Sequence, residues 1–230
     1  LAINEEIRSP GATLTIRPRQ SNSDIYIGDF GSGAGGFQLD STELARIANG
    51  FGQIIIGSSD GRHMIRLGDP TNPNQVINFM DPVVIQNPGL GGEIIISNPI
   101  VGLDDATFSV FGSGFTTNIA ADVSFPGNQT YGDSVTITGD RNISVTSGNL
   151  QFGNLASHTF NGDGAFGDDT VNITVGDGNV VFAGSVGNSD PLEGMTITVT
   201  GGTSGGSTGN VTFSGSVTVD GDLEITAPGR

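Results

Sequence analysis

The sequence predicts an all-β chain folded as a parallel β-helix, a solenoid of stacked coils, with one short helix near residues 41–49. Three observations carry this. One short phrase returns through the C-terminal half: Val123-Ser124-Phe125, Leu150-Gln151-Phe152, Val180-Val181-Phe182 and Val211-Thr212-Phe213, each an aliphatic residue, any residue, then phenylalanine. The phrases return at a nearly constant interval, the recurrence expected of stacked repeats. Short apolar runs elsewhere alternate with polar residues, the period of a strand with one buried face.

A strand sends every second residue to the same face, so the aliphatic residue and the Phe of each phrase point together. Stacked as parallel strands about 4.8 Å apart, Phe125, Phe152, Phe182 and Phe213 then form a ladder inside the solenoid. The last three phrases follow Gly-Asn pairs at Gly148-Asn149, Gly178-Asn179 and Gly209-Asn210. A second phrase accompanies them, as Val135-Thr136-Ile137-Thr138, Val171-Asn172-Ile173-Thr174 and Met195-Thr196-Ile197-Thr198, upstream by unequal distances. Two or three strands per repeat with Gly/Asp/Asn/Ser corners describe one coil. A β-sandwich or barrel also shows short alternating strands and regular turns. It does not need similar strands to return at one interval.

From the N-terminus, Ala12–Arg17, Ile25–Ile27 and Phe37–Leu39 read as strands. Pro10-Gly11 and the run Gly31 to Gly36 punctuate them as turns. The helix comes next. Asp40 is the preferred N-cap because Glu43 stands three positions on, whereas Ser41 has no acid there. Leu44, Ile47 and Phe51 must pack on the strands, because a helix of about two and a half turns cannot stand alone. Beyond Gly52 come isoleucine-rich runs at residues 54–56, 63–67, 76–79, 83–85 and 93–96. Continuous β-branched triplets suit strands covered on both faces. The chain thus divides into an irregular part, 1–120, and regular repeat coils, 121–230, within one continuous domain.

Residues 39–67 carry a resemblance. Leu39-Asp40-Ser41-Thr42-Glu43-Leu44, Gly50-Phe51, Ile54-Ile55-Ile56-Gly57, Asp60-Gly61 and Ile65-Arg66-Leu67 resemble a segment of very large secreted exoproteins. These form the filamentous-haemagglutinin-like family of Gram-negative bacteria. The resemblance is close over this segment and extends to the rest of the chain only in style. It implies a β-helical surface adhesin or matrix protein. Members exported by a two-partner system carry Asn-Pro-Asn-Gly and Asn-Pro-Asn-Leu motifs. Here Asn72-Pro73-Asn74-Gln75 is neither, and an Asn-Pro-Asn run is a turn former in any protein.

Composition narrows the function. The 230 residues carry a net charge of −16, and all eight basic side chains are arginine. Such a surface repels nucleic acid and anionic membrane. No apolar run approaches the ~18–20 residues needed to cross a bilayer. With no cysteine, neither a disulfide nor a thiolate site can form. Gly numbers 38, well above the usual ~7%, and without the three-residue period of collagen. The chain begins at Leu1 without a signal-peptide pattern, so it reads as a processed product or an excised segment.

Catalytic chemistry finds little support. His63 and His158 are the only neutral-pH bases, each at the start of a strand phrase. No Gly-x-Ser-x-Gly elbow or phosphate-binding fingerprint opens a helix, and Gly31–Gly36 reads as a flexible turn. A polysaccharide lyase or hydrolase is the enzymatic alternative, since parallel β-helices often host both. Between residues 67 and 229 it would rest on Arg141 alone as the basic group. Most acids sit in Asp-Gly or Gly-Asp turns, explained by backbone hydrogen bonding. Asp163, Asp168, Asp169 and Asp177 bracket two Gly-rich turns and are the candidate Ca²⁺ ligands. They lack the Gly-Gly-x-Gly-x-Asp nonapeptide and the twelve-residue EF loop, and a solvated acidic corner is the simpler explanation. Sequons at Asn128, Asn142, Asn172 and Asn210 fit chance in an Asn/Thr-rich chain.

The expectation is a non-enzymatic extracellular solenoid, a structural or adhesive segment of a bacterial cell-surface or filament protein. A calcium-binding adhesion module is the alternative; no other cofactor is expected. Neither end shows an obvious cap, so the coils should continue into further repeats or join end to end. Cell-surface glycans or proteins are the expected partners, with no nucleic acid and no membrane insertion.

Overall fold

The computed structural model describes residues 3–31, 35–86, 92–112, 114–165, 167, 169–201 and 209–228. Part of the Gly31–Gly36 turn and the calcium candidate Asp168 lie outside them. The chain winds as short strands, coil upon coil. The first coil holds β1 (Thr13–Ile16), β2 (Ile25–Ile27), β3 (Phe37–Leu39) and the helix α1 (Ser41–Leu44). The second holds β4 (Gln53–Gly57), β5 (Met64–Leu67) and β6 (Ile77–Phe79), and the third β7 (Val83–Gln86), β8 (Glu93–Ile96) and β9 (Ile100–Gly102). The fourth has β10 (Phe108–Phe111), β11 (Thr116–Ile119) and β12 (Val123–Phe125). The fifth has β13 (Gln129–Tyr131), β14 (Ser134–Ile137) and β15 (Arg141–Ser147). The sixth has β16 (Leu150–Phe152), β17 (Thr159–Gly162) and β18 (Thr170–Asp177). Then follow β19 (Val180–Phe182), β20 (Ser185–Val186) and β21 (Gly194–Val199), and last β22 (Val211–Phe213) and β23 (Leu223–Thr226).

Like strands of successive coils pair in parallel, making two sheets of eight strands and a third of seven. This is the parallel β-helix that the alternating phrases predict. Down the first sheet Leu14 lies beside Ile54, then Val83, Phe108, Gln129, Leu150, Val180 and Val211. The coils are longest at the N-terminal end, shorten towards Gln129 and Leu150, and lengthen again towards Val211. Register holds because the strands alternate in and out; the corners absorb the difference in length.

The aromatic ladder exists but its membership differs from expectation. Phe152, Phe182 and Phe213 stack in the first sheet, with centroids 5.0 and 4.9 Å apart and interplanar angles of 20° and 7°. Below Phe152 stands Tyr131, not Phe125, at 5.2 Å and 11°. Phe125 belongs to the third sheet, where it pairs with Val145. It reaches the same core by packing on Phe108 at 5.2 Å. The ladder continues downward through Val110, Ile85, Ile56 and Ile16, so aromatic rungs sit on an aliphatic base. The second phrase divides in the same way. Val135–Ile137 lies in the second sheet beside Phe160–Gly162, while the Val171 and Met195 phrases pair in the third. Below Ile173 stands Ile143.

The Gly-Asn pairs mark the corner between the third and first sheets. Gly178 has φ 149°, and a Cβ there would lie 2.0 Å from the carbonyl oxygen of Gly148. Only glycine lets the two turns stack so closely. The asparagines beside them form a second ladder. Asn149 N–H donates to Asn128 Oδ1 at 2.7 Å, Asn179 N–H to Asn149 Oδ1 at 2.9 Å, and Asn210 N–H to Asn179 Oδ1 at 3.0 Å. Each corner thus hands an otherwise unpaired backbone donor to the coil beneath.

At the N-terminal end β3 lies outside β2 as the end strand of the second sheet, and α1 follows it in the chain. This end is therefore partly covered, against the expectation of no cap. Asp40 caps the helix as predicted: its carboxylate accepts Glu43 N–H, and Glu43 Oε2 accepts Asp40 N–H, a capping box. The helix is shorter than residues 41–49. It stops at Leu44 because the chain beyond is drawn into an extended pairing: Ile7 N–H donates to the Arg46 carbonyl and Ala48 N–H to that of Ile7. Ile47 and Phe51 are buried in the core as expected, and Leu44 packs against it.

Candidate functional surfaces

Of the described calcium candidates, Asp163 and Asp169 lie together and Asp177 lies apart. Asp169 is buried, and its two oxygens accept backbone N–H groups of Gly139 (3.0 Å) and Asp163 (2.8 Å). It ties the corner of one coil to the coil below. Asp163 Oδ1 accepts Ala165 N–H at 2.8 Å, closing its own turn. Asp177 ends β18 while Asp169 immediately precedes it, so the length of that strand, about 26 Å, lies between them. Among the described residues no three His, Asp or Glu side chains gather as a metal group.

The two histidines have different surroundings. His63 is buried just before β5, with Nδ1 2.8 Å from the carbonyl oxygen of Ser21, which fixes Nδ1 as the donor. Burial holds this imidazole below its ordinary value, against the pull of the Ser21 carbonyl and Asp24. His158 has Nε2 3.3 Å from Asp133 Oδ1, and its Nδ1 accepts Asn154 N–H at 3.2 Å. That pairing places the proton on Nε2, donated to Asp133. Burial pushes the Asp133 carboxyl up, offset by the attraction of His158. The pair links consecutive coils at the first-to-second sheet corner. Sequence reading missed it, because the partners are distant along the chain and only the coil length brings them together.

Arg141 opens β15, and its Nη1 donates to the carbonyl of Asp140 at 2.7 Å. Facing outward on the third sheet are Asn142, Ser144, Asn172, Thr174, Thr196 and Thr198, a neutral polar surface in register. Ser144 donates to Ser124 at 2.8 Å across it. The acidic groups lie mainly at corners, as turn residues.

The C-terminal end is the other distinctive surface. β22 pairs only with β19 and β23 only with β21 among the described residues. Phe213 stacks on Phe182 by one face, and Leu223 and Ile225 are each 43% exposed. A strand edge with free backbone groups and exposed apolar side chains is a template for pairing.

Fold and surfaces together define a three-sheeted parallel β-solenoid whose last described coil is open. No family model, no curated protein and no solved structure matches the chain. No helix among the described residues is long and apolar enough to cross a membrane.

Proposed function

We propose that the chain is a non-enzymatic structural or adhesive segment of an extracellular, bacterial cell-surface protein, whose coils join end to end with further coils. The open last coil carries this reading. Its strand edges and its half-covered Val211, Phe213, Leu223 and Ile225 gain backbone hydrogen bonds and apolar burial only when another coil stacks upon them. The resemblance of residues 39–67 to filamentous-haemagglutinin-like exoproteins supports the surface location. Net charge −16 fits partners that are glycans or proteins and not nucleic acid.

Light scattering over a rising protein concentration tests it. The mass should grow with concentration, and the double variant Leu223→Lys/Ile225→Lys should remain monomeric, since charges on an edge block pairing. A single monomeric mass for the unaltered chain at every concentration, or equal association by the variant, contradicts end-to-end joining.

A further inference from the structure

Among the described residues the third sheet has one strand fewer than the others, and the missing place lies beside β6 at its N-terminal edge. Ile77 N–H donates to the Pro99 carbonyl at 2.9 Å, and Leu103 N–H donates to the Phe79 carbonyl at 2.8 Å. In a parallel ladder alternate residues bond opposite neighbours, so the amide and carbonyl of Asn78 face away from β9. On that side runs a cleft of about 320 Å³ between β6 and α1, lined by Ser41, Leu44, Ala45, Val76, Asn78 and Met80. Val76 and Met80 are 46% and 38% exposed on its rim.

Two polar groups here lack partners. Gln75 also lines the cleft, and both its amide atoms are buried without a hydrogen bond. Asp81, 1% exposed, lines a smaller recess that shares Leu44, Asn78 and Met80 with the cleft. Its Oδ1 accepts Gly50 N–H at 2.7 Å, but its Oδ2 is buried with no partner. Unmatched buried polar atoms cost stability that a complementary ligand restores.

We propose that this cleft binds an extended, lysine-bearing peptide segment of a partner protein, added as a strand along β6. The Asn78 backbone supplies main-chain pairing, Gln75 reads a further amide, and the apolar walls take alternate side chains. The lysine ammonium donates to Asp81 Oδ2. A point donor suits one free oxygen in a narrow recess better than the five-donor fork of arginine. This chain contains no lysine, so the segment comes from a different protein and not from a second copy. Nearby acids add attraction: Asp29, which accepts both the N–H and the hydroxyl of Ser41, and Asp40. The proposal does not depend on end-to-end joining, which concerns the opposite end.

Fluorescence anisotropy on the full chain tests it, using a labelled hexapeptide that alternates valine and threonine and carries one lysine. Saturable binding is expected. N-methylation of the peptide backbone, or exchange of its lysine for alanine, should each weaken binding at least about tenfold. Asn78→Pro should weaken it similarly, since proline is tolerated at an edge position whose N–H points outward. Asp81→Asn should abolish the preference for lysine. No saturable binding up to millimolar peptide, or equal binding of the N-methylated peptide, overturns the strand-addition proposal. Equal binding of the alanine peptide overturns the role of Asp81. Both peptide arms use the unaltered protein, so they decide the matter even where a variant does not fold.

Discussion

Gln129 occupies a position whose neighbours above and below, Leu150 and Phe108, are apolar and fully buried. It is tolerated because its amide is matched. Tyr131 Oη donates to Gln129 Oε1 at 3.1 Å, and Gln129 Nε2 donates to the Ser144 carbonyl at 2.6 Å. Burial pushes the Tyr131 phenol far up, so it stays a neutral donor. Removing one partner strands the other in an apolar core, whereas removing both leaves nothing unmatched on the side chains. Gln129→Leu and Tyr131→Phe should each cost about 1–3 kcal/mol in denaturant unfolding. The double variant should cost less than their sum by at least about 1 kcal/mol. Additive losses would mean that the two side chains do not act as a pair.

Elements here are short, so their fit depends on what lies one coil away. Gly102 ends β9 directly beneath the Phe125 ring, and a Cβ there would fall 2.1 Å from the ring carbon Cδ1. The third sheet thus alternates large and small as Phe79, Gly102 and Phe125. Gly102→Ala should destabilise the protein by about 1–3 kcal/mol through overpacking, read as a lowered melting temperature. An unchanged melting temperature would show that the ring has room to move. The same geometry explains what could be read in advance. The steps from Phe152 to Phe182 and on to Phe213 are true coil lengths, flagged by the recurring Gly-Asn corner. The similar step from Phe125 to Phe152 is coincidence, since the coil below Phe152 is shorter than that and places Tyr131 under it. In–out alternation shows which face of a strand is buried but not which sheet it joins, and the corner lengths that decide this leave no periodic trace. The candidate site is less legible. Turn aspartates stand out in the sequence, but nothing local tells that Asp169 is buried and bonded to backbone. The β6 cleft follows from a place in the third sheet that no strand among the described residues fills, which no pattern announces.

At the scale of the molecule, one column of inward residues runs from Ile16 to Phe213 through the stacked coils, and stability accrues coil by coil. At the N-terminal end β3 covers the edge of β2 and α1 lies across the cleft from β6, while the last described coil keeps its edge. The scaffold, the open end and the strand-addition cleft all presuppose the coil register, and cross-linking reads that register directly because the chain has no cysteine of its own. Gln151→Cys should form a disulfide with Val181→Cys, and in a separate variant with Thr130→Cys, its outward neighbours above and below. It should not link to Ser124→Cys, which stands in the third sheet beside Ser144. Linkage to position 124, or failure at both 130 and 181, would contradict the stacked coils described here.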